Sequence, residues 1–295
     1  MISILPMLHG MLLVGCTNKE PDVDSADMVS DTSEEYSVCV ESGASGHVQG
    51  TMDCTQGVCS VPEGNFWMGS ALVEDECPTQ EIYLSAYSID QYEVRIKDWE
   101  QCVATQGCPA IPTHCMDMLR SRSDYTTNFP AICVTWDAAQ YYCEKQGGRL
   151  PTEAEWEKAA SGTQSSKWAW GSQHPDCTLA NFRLASIYCY EGVSPVGRYT
   201  QQSAFGLYDV NGNVFEWVVD FYDADAYVDM ASRDPSKIDG SCRNTIDGVE
   251  RACVNRGLRG GAYNSTDFSI RNASRSFAHP NTVDVNIGLR CAYGN

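Results

Sequence analysis

The chain has 295 residues, 43% of them hydrophobic, and a formal net charge of -19. That is enough apolar material for one large domain or two small ones, with a sizeable core. The acidity repels nucleic acid and anionic membrane surfaces, so neither is expected as a partner, and fifteen cysteines point to an oxidising compartment.

The first feature along the chain is the short apolar run MLLVGC, Met11 to Cys16. Leu13-Val14-Gly15-Cys16 resembles a bacterial lipobox. The resemblance implies a signal peptide over residues 1–16, cut before Cys16, and a lipid on the Cys16 thiol. It also implies residence on the bacterial cell envelope or surface, on the secreted side, with membrane attachment through the lipid alone. No stretch of the sequence approaches the roughly 20 apolar residues of a membrane-spanning helix. Setting Cys16 aside leaves an even number of cysteines, as a disulfide framework requires.

Residues 17–60 read as a spacer and a cysteine-bearing transition. From Glu20 to Glu41 there are eight carboxylates and no lysine or arginine, a composition that stays solvated. Cys54 and Cys59 lie close together, and the folded domain is expected over residues 61–295, opening at VPEGNFWMGS. Three helices are expected beyond it. RIKDWEQCVATQG should form one ending at Gly107. In TWDAAQYYCEKQGG, Thr135 caps the start and Gly147-Gly148 stop the end. In LPTEAEWEKAA, Thr152 and Glu155 stand at capping-box spacing, and Trp156, Ala159 and Ala160 share one face. Much of the remainder reads as short strands and long loops. A domain so rich in loops needs disulfides or metal ions to hold it.

In GLYDVNGNVFEW, Asp209, Asn211, Asn213 and Glu216 place four oxygen-bearing side chains within eight residues, and Gly212 permits a tight turn. Oxygen donors on a bent loop suit calcium. They equally suit an Asx-rich turn with no metal. The five histidines form no i, i+4 metal pair, and there is no P-loop and no G-x-S-x-G. The lipobox resemblance implies a bacterial source, where the sequons at Asn264 and Asn272 carry little weight.

Five stretches, in order, resemble the sulfatase-modifying-factor family, which includes the formylglycine-generating enzymes. They are VPEGNFWMGS (Val61–Ser70), GGRLPTEAEWEKAA (Gly147–Ala160), GLYDVNGNVFEW (Gly206–Trp217), LRGGAY (Leu258–Tyr263) and IGLRCA (Ile287–Ala292). The resemblance implies an α+β domain of low regular secondary structure with several disulfides, related to C-type lectin-like folds. It implies calcium held by the side chains of Asp209 and Glu216 and the carbonyls of Gly212 and Val214. A second calcium site is implied at Asn181-Phe182, but the loop that should complete it, SIYCYEG, lacks the usual aspartate; Glu191 is the substitute at hand. The resemblance also implies a bridge between Cys143 and Cys291. Closing that loop is worth about 5 kcal/mol in the chain-entropy model. Proximity suggests Cys102–Cys108, Cys115–Cys133, Cys177–Cys189 and Cys242–Cys253, with Cys39, Cys54, Cys59 and Cys77 pairing among themselves.

The resemblance departs from the oxidases at one place. There, two cysteines five residues apart follow the strand at LRGGAY and bind copper(I), which suits soft thiolates. Ser265 and Ile270 stand at those positions here, Ala262 replaces the family's serine, and Phe215 replaces a tryptophan. No cysteine lies between Cys253 and Cys291. Copper is therefore not expected. The expected function is a non-catalytic binding or scaffolding module, stabilised by calcium, for a protein, peptide or glycan ligand. The alternatives are a formylglycine-generating oxidase converting a substrate cysteine and a purely structural envelope protein. Trp168, Trp170 and Tyr263 would serve a binding face or the core. Arg259, Arg271 and Arg275 would line a groove for an anionic or peptide ligand, or salt-bridge within an acidic domain.

Overall fold

The computed structural model describes residues 52–246 and 249–294, all within one unit of the chain. The expected signal, Cys16, Cys39 and most of the spacer lie outside the described residues. The described part is α+β, with four helices among short strands.

The first strands, β1 (Cys54–Thr55) and β2 (Val58–Val61), form a hairpin stapled by the Cys54–Cys59 disulfide. β3 (Gly64–Met68) and β4 (Gln80–Leu84) form a two-stranded ribbon. β5 (Tyr87–Asp90) then pairs antiparallel with β2. This corrects the expected domain start at Val61. The β1–β2 hairpin belongs to the domain's own sheet, and Cys59 and Val61 are buried in its core.

The helices are α1 (Ile96–Thr105), α2 (Thr113–Arg120), α3 (Trp136–Lys145) and α4 (Glu153–Ser161). The Thr135 side chain accepts from Ala138 N at the head of α3, and α4 carries the full Thr152/Glu155 capping box. These bonds satisfy amides that the first helical turn leaves without partners. Gly148 follows α3 where a Cβ would lie 2.5 Å from the carbonyl oxygen of Ala292, so the close approach of the last strand requires glycine. Helix α2 was not expected. It has no acidic residue in its first turn, yet it buries Cys115, Met116 and Leu119 and is tied to the core by Cys115–Cys133. Helix α4 is buried on every side, not only at Trp156, Ala159 and Ala160.

The second half contributes β6 (Arg183–Leu184) and β7 (Ile187–Tyr188), a small ribbon, and β8 (Phe215–Phe221), the longest strand. β9 (Ser241–Ile246) and β10 (Val249–Ala252) form a third ribbon. β8 lies between β11 (Arg256–Arg259), antiparallel, and β13 (Ile287–Gly288), parallel, and β12 (Arg275–Ala278) forms the edge beyond β11. The last strand, β14 (Ala292–Tyr293), returns to pair with β5 and closes the first sheet, in the order β1-β2-β5-β14. Cys143–Cys291 pins α3 to this returning segment across 148 residues. The main core cluster packs α1, α2 and α3 against β8 through Trp99, Leu119, Phe129, Tyr142 and Trp217.

Candidate functional site

The loop before β8 is bent by three residues of positive φ: Asp209 (57°), Gly212 (92°) and Asn213 (60°). Asparagine and aspartate tolerate this region better than most side chains. Gly212 has no substitute, because a Cβ there would sit 2.2 Å from the carbonyl oxygen of Asn181. That close approach brings together the two places where calcium was expected. Asn213 N donates to Asn181 O at 2.8 Å, and Asn181 Nδ2 donates to Asn213 Oδ1 at 3.0 Å.

The loop is also stitched to the LRGGAY segment. Gly212 N donates to Gly260 O (2.8 Å), and Tyr263 N donates to Asn213 O (2.9 Å). Asn211 Nδ2 reaches Ile270 O (2.7 Å) and Asn272 Oδ1 (2.8 Å), while its Oδ1 accepts from Ala169 N. Asn213 is the hub of the other side: its Oδ1 accepts from Ser194 N, and its Nδ2 donates to Glu93 Oε2 at 2.5 Å. Asparagine suits these positions because its amide offers both donors and an acceptor.

Three carboxylates are buried here, on Glu93, Asp209 and Glu216, around one guanidinium, that of Arg290. Glu216 holds Arg290 with both oxygens, at 2.6 and 2.7 Å, and also accepts from the Trp156 indole at 2.7 Å. Asp209 Oδ2 accepts from Gly197 N at 2.5 Å. Burial is the largest influence on Asp209 and raises its carboxyl well above the usual carboxylate range, against the Gly197 amide and Arg290. Glu93 is raised by burial and then by Asp209 and Glu216. The cluster thus holds more acid than its single arginine balances, a condition that favours either protons or a cation.

Asn181 supplies the test of fit for a metal. Its side-chain Oδ1 is fully buried with no hydrogen-bond partner. A buried acceptor left unsatisfied costs free energy, and an oxygen-seeking cation would satisfy it. The Phe182 carbonyl, the other half of that expected pair, already accepts from Cys189 N at 2.9 Å but has a second lone pair. At Glu216 the positive charge in this structure comes from Arg290. Sequence reasoning missed Glu93, Ser194 and Arg290. An acid between tyrosine and valine in Tyr92-Glu93-Val94 was the one local signal for Glu93.

At the positions aligned with the oxidase cysteines, Ile270 is buried against Trp168, Ala180 and Phe182. Ser265 Oγ accepts from Ala262 N at 3.0 Å, and Ser265 O from Arg183 N at 2.8 Å. The thirteen cysteines among the described residues are all disulfide-bonded. The pairs include Cys102–Cys108, Cys115–Cys133, Cys143–Cys291, Cys177–Cys189 and Cys242–Cys253. Asp223 lies close to Cys242 and Cys253, but sulfurs bonded to each other are not thiolate ligands.

Of the two readings of the arginines, the groove is corrected and salt-bridging within the domain is what the structure shows. Arg259, Arg271 and Arg275 are all buried. Arg259 donates to Glu157 (2.5 Å) and Glu153 (3.1 Å), Arg275 to both oxygens of Glu153 (2.8 and 2.9 Å), and Arg271 to both oxygens of Glu76 (2.7 Å each). These acids, far upstream, take the guanidiniums into the core, so the three arginines hold α4 and the first ribbon in place. Trp168 is likewise buried, with Trp170 stacked on it at 6.3 Å, whereas Tyr263 is half-buried beside Tyr188.

This mixed fold, the Asn- and Asp-rich loop joined to a Gly-Gly strand end, and the bridged last strand define a formylglycine-generating-enzyme-like domain. Residues 46–294 match the family described as "Sulfatase-modifying factor enzyme 1-like domain", and the chain belongs to that family. It is 30% identical over 247 residues to "Serine/threonine-protein kinase pkn1" of Chlamydia pneumoniae, across 78% of this chain but only 36% of that protein. It is 33% identical over 187 residues to "Formylglycine-generating enzyme" of Streptomyces coelicolor, covering 58% of this chain and 55% of that one. Among solved structures, PvdO from Pseudomonas aeruginosa superposes with a TM-score of 0.60 at 24% identity, over 80% of this chain and 93% of that one; this likeness supports the fold.

Proposed function

We propose that the chain is a non-catalytic binding or scaffolding module of the bacterial cell envelope, anchored by lipid at Cys16 and stabilised by calcium. The observation that carries the non-catalytic reading is the filling of the family's copper position by Ile270, a buried side chain in an apolar cluster with no ligand atom. The cysteines that might have stood in are committed to disulfides, and copper(I) chemistry needs thiolates. The alternative, an oxidase turning a substrate cysteine into formylglycine, would need two reduced cysteines close to residues 258–275. The calcium reading rests on the unpartnered Asn181 Oδ1 and the acid excess around Asp209. Asp209 and the carbonyls of Gly212 and Val214 would hold one ion, with Glu216 joining only by giving up part of its bond to Arg290, and Asn181-Phe182 would begin a second site, with Glu191 the substitute in its other half. Bound calcium supplies charge that fixes the loop.

The test uses the oxidised chain with copper(I), oxygen and a Cys-x-Pro-x-Arg peptide, followed by mass spectrometry. An active formylglycine-generating enzyme is run in parallel. The expected outcome is an unchanged peptide thiol beside a converted control. Conversion of the thiol to an aldehyde by this chain overturns the reading.

A further inference from the structure

A cavity of about 610 Å³ opens between the β1–β2 turn, the end of β5, helix α1 and the C-terminal end of α3. None of its lining residues belongs to Gly206–Trp217 or Leu258–Arg275, and it adjoins the site described above only through Glu93, whose carboxylate is held by Asn213 Nδ2 and Val214 N. Its wall carries the carboxylates of Asp90, Glu93 and Asp98 against one cation, Arg95. Arg95 is already spent on Asp98, with Nε to Oδ2 at 2.5 Å.

Of the other two, Glu93 is turned to Asn213 and the Val214 amide, which leaves Asp90 as the carboxylate without a counter-ion outside the site described above. Its Oδ2 accepts from Cys291 N and its Oδ1 from the Tyr293 hydroxyl, each at 2.9 Å. The nearest guanidinium, Arg290, turns its Nε and Nη2 to Glu216 and offers Asp90 only a bond to the main-chain oxygen. Two hydrogen bonds hold the carboxylate in place while its charge stays unbalanced. Tyr92 and Tyr142 line the same cavity, each fixed by stacking on a second ring, Tyr208 at 4.9 Å and Trp99 at 5.1 Å.

An anion is repelled by such a wall. A primary ammonium is matched twice, by the carboxylate and by the electron-rich tyrosine rings. We propose that this cavity is a binding site for an alkylammonium group, with Asp90 as its counter-ion, Tyr92 and Tyr142 as its aromatic wall and Gln101 at its rim. The proposal stands independently of the non-catalytic reading.

Proton competition follows from the setting. Asp90 is faced by Arg290 and Tyr293 from the C-terminal segment, by Arg95 and Asp98 from the start of α1, and by Tyr142 from α3. Burial without a counter-ion pushes its carboxyl up to about 6. An ammonium ligand prefers the ionised form, so apparent affinity should fall about tenfold between pH 7.5 and pH 5.

The probe is 1,5-diaminopentane, titrated calorimetrically into the full chain in calcium-containing buffer, with 1,5-pentanediol as its neutral analogue. The diamine should bind at one equivalent and the diol should not. Asp90→Asn keeps an acceptor for Cys291 N and should weaken the diamine roughly tenfold or more, the worth of a charge-assisted bond. Gln101→Arg, at an exposed position on α1, leaves the fold untouched and should weaken it several-fold. Equal binding of diamine and diol overturns the proposal. So does full-strength diamine binding by the folded variants, and if Asp90→Asn does not fold, Gln101→Arg alone decides.

Discussion

Replacing Arg259 by methionine separates a buried structural arginine from one that lines a ligand groove. The substitution removes the bonds of its guanidinium to Glu157 (2.5 Å), Glu153 (3.1 Å) and the carbonyl of Asn272 (2.7 Å). Glu153 keeps Arg275 on both oxygens. Glu157 keeps only Gly69 N and the Tyr227 hydroxyl, neither of them charged. The cost is that of one buried carboxylate without a counter-ion, about 3–5 kcal/mol. At the entropy of unfolding of a domain this size, the melting temperature should drop by roughly 6–20 °C. Urea unfolding of the oxidised chain, wild type against Arg259→Met, measures it. The loss should depend on pH in a definite sense. The Glu157 carboxyl is already raised by burial, against the pull of Arg259, and losing Arg259 raises it further. A carboxyl raised in the folded state is stabilising where it is protonated, so the penalty should shrink from pH 8 towards pH 5. A loss below 1 kcal/mol, or one independent of pH, would refute the reasoning and return Arg259 to the surface.

Gly212→Ala should destabilise strongly, because it combines a φ of 92° with a 2.2 Å clash against Asn181; chemical denaturation gives the size, and an unchanged midpoint contradicts the loop geometry. Removing the Cys143–Cys291 bridge by a double serine substitution should cost up to about 5 kcal/mol by loop entropy, read in the same assay. Chelation with EDTA should lower the melting temperature, and Asn181→Leu should shrink that response; a chain indifferent to EDTA has no calcium here. Asp220 is raised to about 7 by burial and then by Glu153. It should therefore favour folding by about 1 kcal/mol more at pH 6 than at pH 8, a slope that Asp220→Asn should flatten.

What could be read in advance was local. Thr135 and the Thr152/Glu155 pair announce α3 and α4 because a cap is a contact between neighbours in sequence. Asp209, Asn211, Gly212 and Asn213 were legible as a bent polar loop for the same reason. Helix α2 was not, since Thr113–Arg120 has neither an acidic first turn nor a capping side chain, and burial of Cys115, Met116 and Leu119 decides it. Glu93 and Arg290 escaped because their partners lie 120 and 74 residues away. The arginines of LRGGAYNSTDFSIRNASR left two readings open for the same reason. They cluster in sequence like a binding patch, while the carboxylates that bury them stand 102 to 195 residues upstream.

That burial bears on how the composition is read. Arg259, Arg271, Arg275 and Arg290 are four of twenty basic residues, and each is enclosed with its own carboxylate, on Glu157, Glu76, Glu153 and Glu216 in turn. Pairs sealed in the core contribute no field that a ligand can feel at close range. Setting aside the nine acids and five bases buried among the described residues leaves 30 acidic to 15 basic, so the two-to-one acid excess of the composition is not masked by the core. A module with such a surface steers cationic partners inward and anionic ones away. If the proposed binding role holds, a ligand should be sought where a carboxylate is held rigid without a counter-ion, as at Asp90, and not along the arginine-rich strand.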